Sequence, residues 1–541
     1  MNCKIALAQI NVTVGDIAGN AEKIINSINK AKSHHADIIL FPELTLSAYP
    51  SLDLILEEEF INANQTKLLE ITKHVQDIIA IIGVIYSHNG HRYNALAVIQ
   101  NGQIIDYVLK TNLPTYDVFD ELRYFHPNTQ PHPISVRIKG KTYKLGIEIC
   151  EDLWDDRYDI KVTRDLAKQG ADIILNASAS PFYTGKMKQR IVLVREKVEA
   201  FHLPFVYVNL IGGQDELIFD GNSFALDAEG RFAAHLPASQ EAIAYCSFKN
   251  GRAENPQADP IMHELKELRA ALILGIRDYF YKSGFKDAVI GLSGGIDSAL
   301  VAVLAAEALG PDHVYTYAMP SQFSSDHSFV DAEQCAKNLH IHFDTIPIES
   351  VYKSFLNALK NPFSGTSFGL AEENLQARIR GSILMSISNK KNALVLTTGN
   401  KTELALGYCT LYGDMCGALA PISDMNKPDV YRLANYLNEQ YGFDIIPENT
   451  ISKRPSAELA EGQYDPFDYD IVSPIVDDLL CQNKSIEQLI KKTADPELVY
   501  KIFHLIRATE FKRWQAAPGL RITPKAFGQG RRMPLVNHFT F

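Results

Sequence analysis

The sequence contains little cysteine and no long apolar segment. Its seven cysteines are spread irregularly over 541 residues, which favours reduced thiols over a disulfide framework. Cys409 and Cys416 are the closest pair, and because no histidines accompany them, their spacing does not indicate a zinc site. No apolar run approaches the length of a membrane span, and the N-terminus lacks the apolar core of a signal peptide. We therefore expect a cytoplasmic protein with no membrane partner.

The chain also lacks an excess of positive charge. Its formal net charge is −11, so it has no basic footprint for DNA or RNA, and we expect no nucleic-acid partner. Hydrophobic residues make up 46% and charged residues 22% of the sequence, as in an ordinary globular protein. At roughly 150 residues per domain, the length predicts between about two and four domains.

Short apolar strands alternate with amphipathic helices from residue 4 to about residue 246, a pattern typical of layered α/β packing. The predicted strands are Lys4–Ile10, Asp37–Phe41, Ile78–Tyr86, Ala95–Gln100, Gln103–Leu109, Thr142–Ile149, Asp172–Leu175 and Pro204–Asn209. The predicted helices are Asn20–Ser33, Tyr158–Gln169 and Lys186–Phe201. Asn, Gly and Pro residues then interrupt the periodicity. We predict an N-terminal domain over residues 1–248 and a linker over residues 249–260.

A second α/β series follows in residues 261–541, which we predict to form the C-terminal domain. A helix with an apolar stripe from Ile261 to Phe280 precedes four strands, Ala288–Ile290, His313–Met319, His342–Ile346 and Ala393–Thr397. Strands that alternate with helices favour a doubly wound parallel sheet, with the ligand at the C-terminal ends of the strands. From Val430 onward, the pattern is mostly helical.

A glycine-rich turn joins the first of these strands to an apolar helix. Its residues are Gly291, Leu292, Ser293, Gly294, Gly295, Ile296, Asp297 and Ser298. Unpaired N–H groups at a helix N-terminus bind phosphate. The turn lacks the Lys-Ser/Thr pair of a Walker A loop, and an ordinary glycine turn is the alternative reading. With both serines and Asp297 in register, it resembles the pyrophosphate loop of ATP pyrophosphatases, which implies cleavage of ATP between the α- and β-phosphates.

Three strands of the N-terminal half lead into reactive side chains, namely Glu43, Lys110 and Cys150. A thiol with a pKa near about 8.5 needs a base or a cation to become nucleophilic at neutral pH. Glu43 would be the base, and Lys110 would stabilise the thiolate and the oxyanion of an attacked carbonyl. Each residue alone is more often a buried thiol or a surface charge, but together they predict an acyl-transfer site.

These residues lie in the segments Phe-Pro-Glu43, Lys110-Thr-Asn-Leu-Pro and Glu-Ile-Cys150-Glu-Asp. The first 246 residues thereby resemble the nitrilase superfamily. The resemblance implies an α-β-β-α sandwich that hydrolyses a carbon–nitrogen amide bond through a thioester. In glutamine-using members, matching positions hold the substrate, which implies that Tyr116, Ser180 and Lys186 bind L-glutamine. Ser178 competes with Ser180, since the spacing from Cys150 is slightly longer than is typical.

The C-terminal half resembles the NAD synthetase family from about residue 261 to 532, through the segments 373–380, 396–403, 407–414 and 511–513. This resemblance implies that residues 291–298 and Thr398 bind ATP, and that Asn374, Glu403 and Lys512 bind deamido-NAD. It also implies one or two Mg²⁺ ions on Asp297 and Glu403, and a homo-oligomer, a dimer or larger. Arg378 and Asp414 are weaker candidates. Without the resemblance, Arg378 is interpreted as part of a surface or intersubunit ion pair and Asp414 as a turn residue.

An amidase next to a pyrophosphate loop has a chemical logic, because one half frees ammonia and the other activates a carboxylate to accept it. The two resemblances together imply ATP-dependent amidation of deamido-NAD with nitrogen from glutamine, through an acyl adenylate. The alternatives are a glutamine amidotransferase acting on another carboxylate or nucleotide, and a non-catalytic metabolite-binding or scaffold protein. Free ammonia would mostly protonate in water, so we also expect a closed passage from Cys150 to the adenylate.

Overall fold

A computed structural model describes residues 2–537, and the chain divides into two compact units, Met1–Ala271 and Leu272–Phe541. Met1 and the last four residues of the predicted C-terminal domain, 538–541, lie outside the described residues. The seven cysteines are all free thiols. Across the described part of the chain, no helix combines the length and the apolar character that crossing a membrane requires.

Two large β-sheets form the centre of the first unit. One has seven strands in the order β15-β14-β1-β2-β3-β4-β5, and the other has six in the order β13-β12-β9-β8-β7-β6, with β10 and β11 as a separate hairpin. The strands are β1 Asn2–Gln9, β2 Ile38–Leu40, β3 Ile79–His88, β4 His91–Gln100, β5 Gln103–Leu109, β6 Ile134–Ile138, β7 Lys141–Ile149, β8 Ile173–Ser178, β9 Phe205–Asn209, β10 Ile211–Gln214, β11 Leu217–Asp220, β12 Phe224–Leu226, β13 Phe232–His235, β14 Ala242–Lys249 and β15 Arg252–Ala253.

The two sheets pack face to face, and helices cover their outer faces. The helices are α1 Ile17–Ser33, α2 Glu58–Thr72, α3 Val162–Lys168 and α4 Lys186–Phe201. Because strand side chains alternate between faces, Ile5 and Leu7 of β1 enter the core between the sheets, whereas Ala6 and Ala8 pack with α1 and α2. The helices α3 and α4 pack against the six-stranded sheet. This arrangement is the predicted α-β-β-α sandwich.

The second unit contains a four-stranded sheet in the order β18-β17-β16-β19, and all its pairings are parallel. Its strands are β16 Ala288–Gly291, β17 Val314–Ala318, β18 His342–Thr345 and β19 Leu394–Val395. The helix Leu370–Lys391 packs on one face through Leu384 and Ile387, while the helices Ile296–Leu309 and Asp326–Leu339 contact the same sheet. The predicted doubly wound parallel sheet is confirmed.

Helices make up about half of the second unit. They are α5 Glu264–Lys282, α6 Ile296–Leu309, α7 Asp326–Leu339, α8 Glu349–Ala358, α9 Leu370–Lys391, α10 Lys401–Leu406, α11 Lys427–Tyr441, α12 Glu448–Ser452, α13 Tyr469–Leu480, α14 Ile486–Thr493, α15 Pro496–Ala508 and α16 Glu510–Arg513. Helix α6 is buried on almost every side, which explains why its sequence is apolar all round. The boundary between the two units falls inside α5.

Element ends account for most of the differences from the sequence-based expectations. Ile261 is 82% exposed and precedes α5, so the buried stripe begins only at Leu268. The helix predicted over Tyr158–Gln169 is shorter in the structure, where α3 spans only Val162–Lys168. A separate 3₁₀ turn, Asp155–Arg157, precedes it. The strand predicted over Ala393–Thr397 is reduced to β19, since Leu396 forms only an isolated bridge with Leu419.

Candidate active sites

Strand ends bring the three predicted reactive residues of the first unit together. Glu43 lies in the turn after β2, Lys110 directly follows β5, and Cys150 directly follows β7. Gly83 of β3 makes room for the Glu43 turn, because a Cβ atom at this position would lie 2.3 Å from the backbone nitrogen of Leu44. The carboxylate, the ammonium and the thiol are all buried.

Lys110 binds two carboxylates. Its Nζ donates to Glu43 Oε1 at 2.6 Å and to Glu121 Oε1 at 2.7 Å. The other oxygen of Glu43 accepts the backbone N–H of Ala179, just after β8, at 2.9 Å. Burial alone would lower the pKa of Lys110, but the carboxylates of Glu121 and Glu43 outweigh burial and raise it well above its usual value. The side chain is therefore a fixed cation.

Glu121 was not predicted from the sequence. It begins a 3₁₀ turn, Glu121–Arg123, in a polar segment that reads as surface, yet only 3% of the residue is exposed. Its Oε1 accepts from Tyr49 at 3.0 Å and its Oε2 from Asn94 at 3.3 Å. Burial raises its pKa to about 7, although the Lys110 ammonium opposes that shift. No local sequence signal marks this carboxylate, because its burial depends on the packing of distant strands.

Asn94 links the two carboxylates. Its Nδ2 donates to Glu43 Oε1 at 2.7 Å as well as to Glu121. The residue lies on β4, and its backbone carbonyl accepts the N–H of Lys110 at 2.9 Å. Asn94 therefore helps to hold the side chains of both acids and the backbone of the lysine.

Cys150 has an unusual backbone conformation. Its φ of +44° lies in the left-handed region, where a non-glycine residue is strained, and the residue opens the 3₁₀ turn Cys150–Asp152. Burial and then the Glu43 charge raise the pKa of its thiol well above the usual value, and Lys110 acts in the opposite direction. The resting residue is thus a neutral thiol that needs a base at the moment of attack.

These charges suit acyl transfer by a thiol. A buried carboxylate can take the thiol proton, and a fixed ammonium can stabilise the oxyanion that forms on an attacked carbonyl. Because the site has little contact with solvent, both electrostatic effects are stronger than they would be in water.

Tyr116, predicted to contact glutamine, is 39% exposed. Its hydroxyl donates to both oxygens of Glu151, at 2.9 and 3.0 Å. Tyr158 donates to the same carboxylate at 3.0 Å. The residue after Cys150 therefore anchors two tyrosines, and Tyr158 is a neighbour that the sequence did not reveal.

The two candidate serines have different surroundings. Ser178 is the last residue of β8 and is fully buried, and its hydroxyl donates to Asn176 at 2.7 Å. Ser180 lies beyond the strand, where its hydroxyl accepts from Arg190 at 3.3 Å. Lys186, at the start of α4, places its Nζ 3.6 Å from the ring centroid of Trp154, as in a cation–π contact.

In the second unit, Gly291–Ser298 forms a closed turn between β16 and α6. The hydroxyl of Ser298 accepts the N–H of Ser293 at 3.2 Å and donates to the carbonyl of Gly295 at 2.9 Å. Gly294 has a φ of +79°, and a Cβ atom there would lie 2.1 Å from the carbonyl oxygen of Ser328. Both observations require glycine at this position.

Asp297 and Glu403 share one ammonium, that of Lys427. Lys427 Nζ forms ion pairs with Asp297 and, at 3.3 Å, with Glu403. Asn400 caps α10 and also donates to Asp297 at 3.1 Å. Burial would lower the pKa of Lys427, but the carboxylates of Asp297 and Glu403 raise it. No local pattern marks Lys427, which opens α11 more than a hundred residues after the loop.

The loop lines a cavity of about 560 Å³ at the C-terminal ends of the parallel strands. The predicted residues Thr398, Asn374, Glu403 and Lys512 line the same cavity. The side chain of Asn374 accepts from Thr410 at 2.6 Å, and Lys512 donates to the carbonyls of Gly407 and Cys409 at 2.7 Å each. The structure thus collects the predicted nucleotide residues of this unit around one space.

The two weaker candidates differ in position. Asp414 also lines the cavity and accepts the N–H of Thr410 at 2.7 Å, as a turn residue does. Arg378 is exposed on α9, and its Nε donates to the carbonyl of Leu411 at 3.2 Å.

Between residues 2 and 537, no group of three or more His, Cys, Asp or Glu side chains is arranged to hold a metal ion. Asp297 and Glu403 nevertheless converge on one cation, the Lys427 ammonium. Burial raises the pKa of Glu403 to about 8, and the Asp297 charge adds to that shift. A divalent cation would relieve this repulsion, and Mg²⁺ usually takes one or two carboxylates together with substrate phosphates. The pair therefore fits Mg²⁺ bound jointly with a nucleotide.

Two family models match the chain, one in each half. The model for carbon–nitrogen hydrolases matches residues 4–254, and the model for NAD synthases matches residues 268–516. Their order is the one expected from the two sets of motifs.

Full-length relatives carry both halves. The glutamine-dependent NAD(+) synthetase of Synechocystis is 44% identical over 99% of this chain and 99% of its own, and that of Thermotoga maritima is 39% identical over the same shares. A solved glutamine-dependent NAD+ synthetase from Acinetobacter baumannii, in complex with adenosine diphosphate, aligns with a TM-score of 0.80 at 37% identity and 99% coverage of both chains. A synthetase from Cytophaga hutchinsonii aligns with a TM-score of 0.85 at 23% identity, over 99% and 98% of the two chains, which supports the fold alone.

Proposed function

Because the chain belongs to the family of glutamine-dependent NAD(+) synthetases, we propose how its residues divide one reaction between two sites. The enzyme is a carbon–nitrogen ligase that uses ATP to amidate deamido-NAD with nitrogen from glutamine. We assign the glutaminase to residues 1–248, the linker to residues 249–260 and the synthetase to residues 261–541. The buried cluster of Glu43, Lys110 and Cys150 is the observation that carries the first assignment.

In the glutaminase site, the Cys150 sulfur attacks the side-chain amide carbon of glutamine while its proton passes to Glu43. The oxyanion forms beside the Lys110 ammonium. Glu43 then returns the proton to the leaving nitrogen, so ammonia departs and a thioester remains. Water activated by Glu43 hydrolyses the thioester to glutamate and restores the thiol. Glu121 keeps the Lys110 ammonium in place throughout.

Tyr116, Ser180 and Lys186 are the proposed contacts of the glutamine substrate. Ser180 is preferred to Ser178, because the hydroxyl of Ser178 already donates to Asn176 within the buried strand, whereas that of Ser180 accepts from Arg190 and keeps its own proton for the substrate. Lys186 supplies a positive charge near Trp154 that suits the substrate carboxylate. Tyr116 is held in place by Glu151.

In the synthetase site, the loop Gly291–Ser298 and Thr398 bind ATP, while Asn374, Glu403 and Lys512 bind deamido-NAD. The nicotinate carboxylate attacks the α-phosphate, pyrophosphate leaves, and ammonia then displaces AMP from the acyl carbon. The cavity of about 560 Å³ around these residues supports placing both substrates together. Lys427, next to Asp297, adds a fixed positive charge.

We also propose Mg²⁺ as the metal of this site, held by Asp297 and Glu403. When bound, it supplies neutralisation of phosphate charge. A homo-oligomer of at least two chains, a cytoplasmic location and a closed passage for ammonia are further parts of the proposal. Sedimentation would measure the number of chains in the oligomer. Efficient trapping of the released ammonia in bulk solvent would rule out the closed passage.

Two variants test the division of labour. Cys150→Ala should abolish synthesis with glutamine and leave synthesis with ammonium salts intact, because only the glutaminase uses the thiol. Asp297→Ala should abolish synthesis with either nitrogen source. Release of AMP is the measurement with both nitrogen sources, and with glutamine it should keep step with the release of glutamate. Glutamine-supported synthesis by the Cys150→Ala enzyme would show that the nucleophile is wrongly assigned.

A further inference from the structure

Asp152 is a buried carboxylate next to the glutaminase site that the steps above do not use. It is 1% exposed and ends the 3₁₀ turn that Cys150 begins. Its Oδ1 accepts the backbone N–H groups of Thr111 at 3.0 Å and Asn112 at 2.7 Å, and its Oδ2 accepts that of Ile149 at 3.0 Å. Three N–H donors thus converge on one side chain.

These donors belong to the two backbone segments that carry the cation and the thiol. Thr111 and Asn112 follow Lys110, whereas Ile149 precedes Cys150. About forty residues separate the two segments along the chain, so the carboxylate is a cross-link between them.

The bond to Ile149 also closes the turn around Cys150. A non-glycine residue with a φ of +44° keeps that conformation only when its surroundings hold it. Asp152 provides one such restraint, since its side chain reaches back to the residue just before Cys150. Loss of this bond would let the thiol relax away from the geometry that attack requires.

We propose that Asp152 is a positioning residue for glutamine hydrolysis, which fixes the Cys150 thiol relative to the Lys110 ammonium by binding the backbone of both segments. The proposal rests on the assignment of Cys150 and Lys110 above. Asp152 touches no reacting atom in this scheme and acts through the two segments that it joins.

Asp152→Asn separates positioning from folding. Burial raises the pKa of Asp152 to about 8, against the effect of its backbone donors Asn112 and Ile149, so the loss of its charge does not by itself oppose folding. An asparagine oxygen can still accept from Thr111 and Asn112, but its NH₂ group would then face the N–H of Ile149, donor against donor. The substitution therefore disturbs the Cys150 turn first.

Asp227→Asn is the matched control. Asp227 is fully buried in the same unit and also accepts three backbone N–H groups, those of Glu229 and Arg231 at 3.0 Å and of Ala253 at 3.1 Å. It additionally binds the Arg231 guanidinium, so its replacement removes more structure. None of its partners belongs to the proposed glutaminase site.

The experiment uses the full-length enzyme and measures four quantities. These are kcat and KM for glutamine, synthesis with ammonium salts, and the rate at which a chloroketone analogue of glutamine alkylates Cys150, located by mass spectrometry. We expect Asp152→Asn to lower kcat and the alkylation rate by about a hundredfold, the scale of a misplaced reacting group, with KM for glutamine and ammonia-supported synthesis unchanged. Asp227→Asn should keep the wild-type alkylation rate.

Each other outcome has a defined meaning. Equal kcat and alkylation rates in Asp152→Asn and Asp227→Asn overturn the positioning role and leave the assignment of Cys150 intact. If the wild-type enzyme is not alkylated at Cys150, the assignment itself fails and the positioning role fails with it. If Asp152→Asn does not fold, Asp152→Glu replaces it, because it keeps the carboxyl group but displaces the acceptors. A wild-type kcat in folded Asp152→Glu would then overturn the proposal.

Discussion

The ammonium of Lys110 donates a hydrogen bond of 2.7 Å to the carboxylate of Glu121. The lysine is therefore held from a second side, in addition to its contact with Glu43, and two buried carboxylates share one cation. In the proposed mechanism, Glu121 stays bound to Lys110 while Glu43 accepts and returns a proton, so the oxyanion site need not move during the reaction.

Glu121→Gln should lower glutamine-supported synthesis by about a hundredfold, the scale expected when a reacting group is misplaced, because Glu121 holds the Lys110 ammonium in position. If the amide oxygen keeps its contacts with Lys110 and Tyr49, the new NH₂ group meets the NH₂ of Asn94, donor against donor. Steady-state rates with glutamine and with ammonium salts measure the effect, and only the former should fall. Equal loss with both nitrogen sources would indicate general unfolding instead.

Glu148→Gln is the control for that variant and carries a prediction of its own. Glu148 is fully buried and accepts from Thr163 and Asn176, and because a threonine hydroxyl can also accept, an amide fits this place. Glutamine-supported synthesis should persist in this variant.

The stability of Glu148→Gln should depend less on pH than that of the wild-type enzyme. Burial raises the pKa of Glu148 from 4.5 to about 7. The folded chain thus binds this proton more tightly than the unfolded chain does. The proton on Glu148 therefore stabilises the folded state fully below pH 4.5, and this stabilisation disappears as the pH rises toward 7. Between low pH and pH 8, the wild-type enzyme should therefore lose about 3 kcal/mol of stability that the variant keeps. Calorimetry of the first unit's transition from pH 5 to 8 measures the effect, and parallel pH curves for the two proteins would contradict it.

Gly294→Ala should lower synthesis with either nitrogen source by about a hundredfold. The new methyl group would lie 2.1 Å from the carbonyl oxygen of Ser328, so the loop would have to shift by about 1 Å or more, enough to cost about a hundredfold in rate. Gly284→Ala is the control, because Gly284 has a φ of +80° with nothing within 4 Å of an added Cβ. It tests backbone strain without the clash. Full ATP use by Gly294→Ala would rule out a rigid phosphate loop.

Lys427→Met should leave Asp297 and Glu403 facing each other without their cation. Breaking a buried ion pair on one side costs about 3–5 kcal/mol, so chemical denaturation should show a loss of that order in the second unit. Added Mg²⁺ should stabilise this variant more than the wild-type enzyme, because a dication can take the place of the ammonium between the two acids. Equal stabilisation of both proteins would place the metal elsewhere.

Sequence alone identified the features that depend on local spacing. The alternation of strands and helices predicted two α/β folds, and Glu43, Lys110 and Cys150 were recognisable because each follows an apolar strand. The loop Gly291–Ser298 was recognisable for the same reason, since a strand, a turn and a helix N-terminus are contiguous in the chain. Such signals arise from residues that are close together along the chain, so the sequence alone contains them.

Only the tertiary structure decided which other residues complete these sites. Glu121 and Lys427 lie in segments whose local pattern resembles a solvated surface, and they become buried partners only because distant strands and helices pack around them. Asp152 looks like one more acid after the thiol until Thr111 and Asn112 are brought to it from another sheet. A buried charge is determined by what surrounds it in space, and the sequence records neighbours along the chain alone.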